Sequence, residues 1–263
     1  MSKRLIKNNS GQVTIFIIVA VIIIALGILI YMFYPKIQST LGLEQKNPSA
    51  FIQTCLEDEI ENSVKEVSLR GGSINPEHYI IYDNGKIEYL CYSEGYYEKC
   101  IMQQPMLKNH IESEIKNEIL PKVKDCFDNL EESYEGKGYN VNLKRGETGI
   151  ELLPKRIVAT FNYSLTLTKD GSEKYEPFRV VVNNNIYELV SITNSILNWE
   201  AHYGDAETTI YMNYYHDLKV EKKKQSDGTT IYILTDRNNG NKFQFASRSV
   251  AWPPGYGTSE VLI

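Results

Sequence analysis

Apolar and polar positions change their spacing several times along this chain, and each spacing predicts a different kind of element. From Val13 to Tyr34 every position is uncharged. At about 1.5 Å of rise per residue such a helix is roughly 33 Å long, enough to cross a bilayer's hydrocarbon core. Lys3, Arg4 and Lys7 precede it. The positive-inside bias therefore predicts a cytoplasmic basic tail over 1–12, a transmembrane helix over 13–34 and an exported remainder. Residues 35–46 read as a stalk that continues the helix for a turn or two.

Beyond the stalk the period is helical. Asn47-Pro48 supplies a cap and a first-turn proline, Phe51, Cys55, Ile60, Val64 and Val67 recur at helical intervals, and Gly71-Gly72 stop the helix. Asp58, Glu59 and Glu61 fall on its wet face as solvated charge. Between His78 and Cys91 the period drops to two around Asp83-Asn84-Gly85, which predicts a hairpin whose Asn-Gly pair makes a type I′ turn. After Pro105 one stripe runs through Leu107, Ile111, Ile115, Ile119, Val123, Phe127, Leu130 and Tyr134, ending at Gly136 and Gly138. Pro121 falls inside this helix and is expected to kink or divide it. Residues 47–136 thus read as a helix–hairpin–helix region with four cysteines.

Residues 137–252 read as an antiparallel sheet with an inserted helix. Short strands are predicted at Tyr139–Leu143 and Gly149–Leu153, and a long alternating one from Ile157 to Leu167. Lys169-Asp170-Gly171 turns the long strand towards a partner near Tyr175–Val182. Asn183-Asn184-Asn185 caps a helix through Ile186, Leu189, Val190, Thr193, Ile196, Leu197 and Trp199–Ala201. A short helical stretch is expected within Asp205–Tyr214. The last strands are Leu218–Lys222, Thr230–Leu234 and Phe243–Ser247, and 253–263 reads as a flexible tail. The predicted fold class is α+β: one N-terminal transmembrane helix, then an extracytoplasmic domain of amphipathic helices and antiparallel sheet.

Charge and cysteine usage agree with an external domain. Removing Lys3, Arg4 and Lys7 takes the formal charge of -5 to -8. An acidic exterior excludes nucleic acid as a partner, because that affinity rests on Lys and Arg at phosphates. Lys222, Lys223 and Lys224 form the one tight basic run and read as a solvated strand end. Cys55, Cys91, Cys100 and Cys126 all follow the apolar run, and an even number outside the cytosol reads as two disulfides. Gly95 lets the chain turn back between Cys91 and Cys100, which predicts a local clasp. Cys55 and Cys126 each sit in a predicted helix, which predicts a helix–helix staple. A four-cysteine zinc site is the rival reading, but the C-x2-C knuckles are missing.

Tyrosine numbers nineteen against eight Phe and two Trp. Tyr buries a large ring while its hydroxyl reaches water or a partner. Tyr on half-exposed strands is one explanation, and a contact face for a protein or glycan is the other.

Catalytic spacing is thin. The chain has no H-E-x-x-H, no G-x-S-x-G, no phosphate loop and no dinucleotide fingerprint. His78, His110, His202 and His216 fall on different predicted elements, with His110 a capping or surface residue beside its stripe. The densest polar cluster is Glu200, His202 and Asp205, read as a helix terminus, or as part of a hydrolase site if the chain gathers them. Neither a catalytic residue, a metal site nor a cofactor is assigned. Asn162-Tyr163-Ser164 is the one external glycosylation sequon and falls mid-strand in this reading.

Gly11-Gln12-Val13-Thr14 follows the basic stretch and leads into the apolar run. It resembles the class III signal of archaeal pilin-type proteins, which are cut between Gly and Gln and carry Gln first, Ser or Thr third and usually Glu fifth. Gln12 and Thr14 match; the fifth position is Phe16, and Asn8-Asn9-Ser10 stand where a basic residue normally adjoins the Gly. The whole start, Gly11 to Ile18, is also similar to that of a group of poorly characterised single-pass surface proteins of small-genome archaea. Their Cys-bearing helix ending near a double Gly resembles Cys55 to Gly72, and a later one resembles that around Cys126. The resemblance implies an envelope address and no catalytic role.

Three functions follow as expectations. The first is a single-pass surface protein of the cell membrane, N-terminus cytoplasmic and C-terminal domain extracellular. It touches lipid through 13–34 and serves structurally, binds a protein or glycan, or self-associates. The second is a pilin-like filament subunit processed between Gly11 and Gln12, a role against which Phe16 argues. The third is an extracytoplasmic hydrolase.

Overall fold

The computed structural model describes residues 47–250, together with Val19, Val21, Ile23 and Ile24, which are helical and exposed. The rest of the apolar run, the basic tail, Gly11 and Gln12, the stalk and residues 251–263 lie outside the described residues. Among the described residues no helix is long and apolar enough to cross a membrane.

The mixed α+β class with antiparallel sheets is what the chain adopts. Helix α1 (Pro48–Leu69) is followed by β1 (Tyr79–Tyr82), β2 (Gly85–Tyr92) and β3 (Ile101–Met102), then by α2 (Leu107–Glu135). Next come β4 (Asn140–Lys144), β5 (Thr148–Leu153), β6 (Arg156–Phe161), β7 (Ser164–Thr168), β8 (Ser172–Tyr175) and β9 (Phe178–Val182). Helices α3 (Ile186–Tyr203) and α4 (Thr209–Tyr214) lead to β10 (Leu218–Lys224), β11 (Thr229–Asp236) and β12 (Lys242–Arg248).

Three sheets form where the sequence predicts one meander. The largest has the order β1-β2-β12-β11-β10, with β3 also on β2. Its β2–β12 pair is parallel, against the all-antiparallel expectation, and joins the cysteine-bearing region to the C-terminal strands. The other two are β4-β7-β8 and β5-β6-β9. The long strand predicted from Ile157 to Leu167 breaks at Asn162-Tyr163, and its halves enter different sheets: β6 pairs with β9, β7 with β8. The sequon asparagine therefore sits exposed in a break between strands.

Two other expectations change. The hairpin turn has positive φ at Asp83 and Asn84 (47° and 61°), while Gly85 already pairs with Tyr82 in the ladder. The type I′ pair is thus one residue earlier than Asn84-Gly85. Helix α2 runs through Pro121 undivided. Pro121 is exposed, so the missing N–H and the ring fall on the wet side of the helix, away from its packed stripe.

The stripe of α2 is buried from Leu107 to Tyr134. Helix α1 buries Ile52, Leu56, Ile60, Val64 and Val67, and it packs against α2, β9 and β12. Its Phe51 and Cys55 are only partly buried, so the buried face is rotated from the predicted one. Phe127 meets Tyr163, Phe178 and Phe161 with ring centroids 4.5, 5.1 and 5.9 Å apart, tying α2 to β6, β9 and the break between β6 and β7. Burying one such ring contributes about 2 kcal/mol. Cys55 is bonded to Cys126, stapling α1 to α2, and Cys91 to Cys100, clasping β2 to the start of β3.

Candidate functional site

Three polar arrangements stand out, and only one of them faces an open cleft. The first surrounds Glu200. Positions Ile192, Thr193, Ile196, Leu197 and Glu200 share the buried face of α3, so the helix carries this carboxylate into the core, where it is 2% exposed. Glu200 Oε1 accepts from the Ala206 N–H at 2.9 Å and from the Tyr232 hydroxyl, and Oε2 accepts from the Ser247 hydroxyl at 2.9 Å. Burial raises its pKa above the ordinary carboxylate value, only partly offset by these donors. Burial likewise pushes the Tyr232 hydroxyl well above its ordinary value, so it stays a donor.

His202 and Asp205 do not join Glu200. His202 is exposed and its Nδ1 lies 2.7 Å from the Asn198 carbonyl of its own helix. Asp205 pairs instead with Lys222 and, at 3.2 Å, with Lys224. Lys222 also donates to the Ala206 carbonyl at 2.7 Å, so the basic run is partly tied down rather than simply solvated. The three residues of the hydrolase reading thus point to three environments.

The second arrangement was not legible in the sequence. Gly71 and Gly72 take φ of +87° and +107° at the end of α1 and turn the chain under β2. Ser73 then donates its hydroxyl to the buried Glu88 of β2, and His110 Nε2 lies 2.8 Å from the same hydroxyl. The neighbouring Ile74 N–H donates to Glu114 of α2 at 2.8 Å. Burial, helped by Glu114 and Glu77, raises the Glu88 pKa, while Ser73 and His110 lower it. The serine sits between acid and histidine here; a hydrolytic triad needs the histidine between serine and acid. This group clasps α1, β2 and α2 together. His110 is a half-buried member of that clasp rather than a cap.

The third arrangement is a cleft of about 770 Å³ between α3, α4 and the turn into β10. The first two turns of α3 supply Tyr187, Glu188 and Ser191, and Ser195 follows one turn on; α4 and the residues after it supply Tyr211, Tyr214, Tyr215, His216 and Asp217. Ser195 and Tyr211 hydroxyls are 2.7 Å apart, which fixes α4 against α3. The Tyr214 and Tyr215 rings meet edge to face at 4.8 Å and are 77% and 47% exposed. Asn185 donates to Asp236 at 2.6 Å at one end of the cleft. Glu188 Oε1 accepts from the Lys155 N–H at 3.0 Å, while its Oε2 is shielded from solvent without a hydrogen-bond partner.

A second hollow of about 670 Å³ lies beyond Leu189, rimmed by Asn183, Asn184, Asn239, Asn241, Lys65 and Lys242. Asn185 Oδ1 accepts from Asn241 at 2.7 Å and Asn239 at 3.2 Å, so this amide cluster divides the two hollows. No group of metal-ligating side chains occurs among the described residues. The surplus of tyrosine was visible in the composition, but its convergence here depends on the α3–α4 packing. Compared with family models, curated proteins and solved structures, the chain matches none.

Proposed function

We propose that this chain is a membrane-tethered surface protein whose folded domain binds a ligand outside the cell. The observation that carries the binding role is the tyrosine-lined cleft between α3 and α4. Its size falls within the range of roughly 300–1,000 Å³ common to ligand sites, and it combines rings with a few polar groups. The tether is the uncharged run from Val13 to Tyr34 behind Lys3, Arg4 and Lys7. Two disulfides suit an oxidising compartment and support the outward placement of residues 48–250.

Cell fractionation with a membrane-impermeant amine label tests this reading. The chain should sediment with membranes, lysines between 48 and 250 should be labelled on intact cells, and its cysteines should resist alkylation without reductant. Recovery in the cytosol with four alkylatable thiols would end it. The pilin-like reading rests on Gly11-Gln12-x-Thr14 and predicts a mature chain that starts at Gln12.

A further inference from the structure

We propose that the α3–α4 cleft is a saccharide site taking a neutral, hydroxyl-rich sugar chain across Tyr214 and Tyr215. The proposal rests on the surface-binding reading above and names the chemistry of its ligand. A protein partner of ordinary affinity covers a broad patch with an apolar centre. Here the surface is a concave cleft of about 770 Å³ lined by rings and a few polar groups, which suits a small or linear ligand.

Charge narrows the class. Glu188, Asp217 and Asp236 line the cleft against Lys155 alone, so an anionic ligand meets repulsion. Among the described residues the hydroxyls of Tyr187, Tyr214 and Tyr215 and the His216 ring make no side-chain hydrogen bond, and each can donate and accept. A cation would use acceptors only. A sugar hydroxyl donates and accepts at once, so this mixed set matches it better.

The rings supply the rest. A pyranose presents one face of C–H groups, which packs on an aromatic face and is released from water as it does so. Tyr214 and Tyr215 are held edge to face, so their exposed faces are set at a large angle and grip a bent chain rather than a flat one. Neither ring is needed to fill the core.

The full chain, in a detergent without a sugar headgroup, is titrated calorimetrically with neutral trisaccharides of glucose, mannose and galactose, and with trilysine and tetramethylammonium. At least one trisaccharide should bind, with little dependence on salt. Tyr214→Ala and Tyr215→Ala should each weaken it about tenfold or more, with circular dichroism unchanged, and Tyr214→Phe, which keeps the ring and loses only the hydroxyl, should weaken it less than Tyr214→Ala. Binding by none of the trisaccharides, or binding indifferent to both alanine variants, overturns the proposal. Trilysine or tetramethylammonium binding that depends on the same rings, without sugar binding, replaces it by a cation site. Surface labelling without sugar binding removes this proposal alone; sugar binding by a cytosolic chain removes the surface reading alone.

Discussion

The Tyr232 hydroxyl donates to the Glu200 carboxylate inside the core, and this single bond ties the centre of β11 to the last turns of α3. The same carboxylate accepts from β12 through Ser247 and from the α3–α4 connection through Ala206. One ionisable group therefore holds the helix that forms one wall of the cleft.

That arrangement predicts a pH signature. Burial raises the folded pKa of Glu200 above its ordinary 4.5. A raised carboxyl pKa means that the folded state holds the proton more tightly, so this group's contribution is fully present below the unfolded value. It is lost as pH rises through the interval up to the folded value. Glu200→Gln keeps a carbonyl acceptor and removes the titration, so urea denaturation should show a flatter stability profile above pH 4.5 than the parent chain. Glu200→Ala strands three donors and should cost about 3–5 kcal/mol.

The two disulfides should differ in worth. The Cys55–Cys126 bridge spans 71 residues and Cys91–Cys100 spans 9. By loop-closure entropy their removal costs about 4 and about 2.5 kcal/mol. Paired serine variants followed by thermal unfolding should rank in that order.

Gly71 faces β2 so closely that a Cβ there would lie 2.9 Å from Glu88 Cβ, at a φ of +87°. Gly71→Ala should cost about 1–3 kcal/mol by urea denaturation. Gly171, with nothing within 4 Å of the corresponding position, is the control and should tolerate alanine.

Ser73 lies between Glu88 and His110 as a structural hydroxyl. Ser73→Ala removes the donor from a buried carboxylate and should cost about 1–3 kcal/mol. A serine-directed phosphonofluoridate should leave Ser73 unmodified in mass spectrometry; a stoichiometric adduct there would revive a hydrolase.

Elements with a clean local period were legible in the sequence. The α2 stripe repeats every three or four residues for eight turns, so its buried face follows from spacing alone. The break at Asn162-Tyr163 escaped because Phe161 and Tyr163 are both buried and Asn162 exposed: alternation continues although the ladder does not. The parallel β2–β12 pair joins segments over 150 residues apart, and no local pattern encodes that. Glu200 carried a legible sign, since it keeps the buried phase of α3, but its donors Tyr232 and Ser247 arrive from distant strands. The cleft was hidden for the same reason: its tyrosines are adjacent in part, yet its opposite wall is α3.

Under the proposed function the chain stays tethered and keeps its anchor. Mass spectrometry of the N-terminal peptide from purified membranes tests it most directly. The peptide should retain residues 2–11 ahead of the apolar run. A membrane or filament fraction in which every copy begins at Gln12, or a chain found only in the soluble fraction, would contradict it.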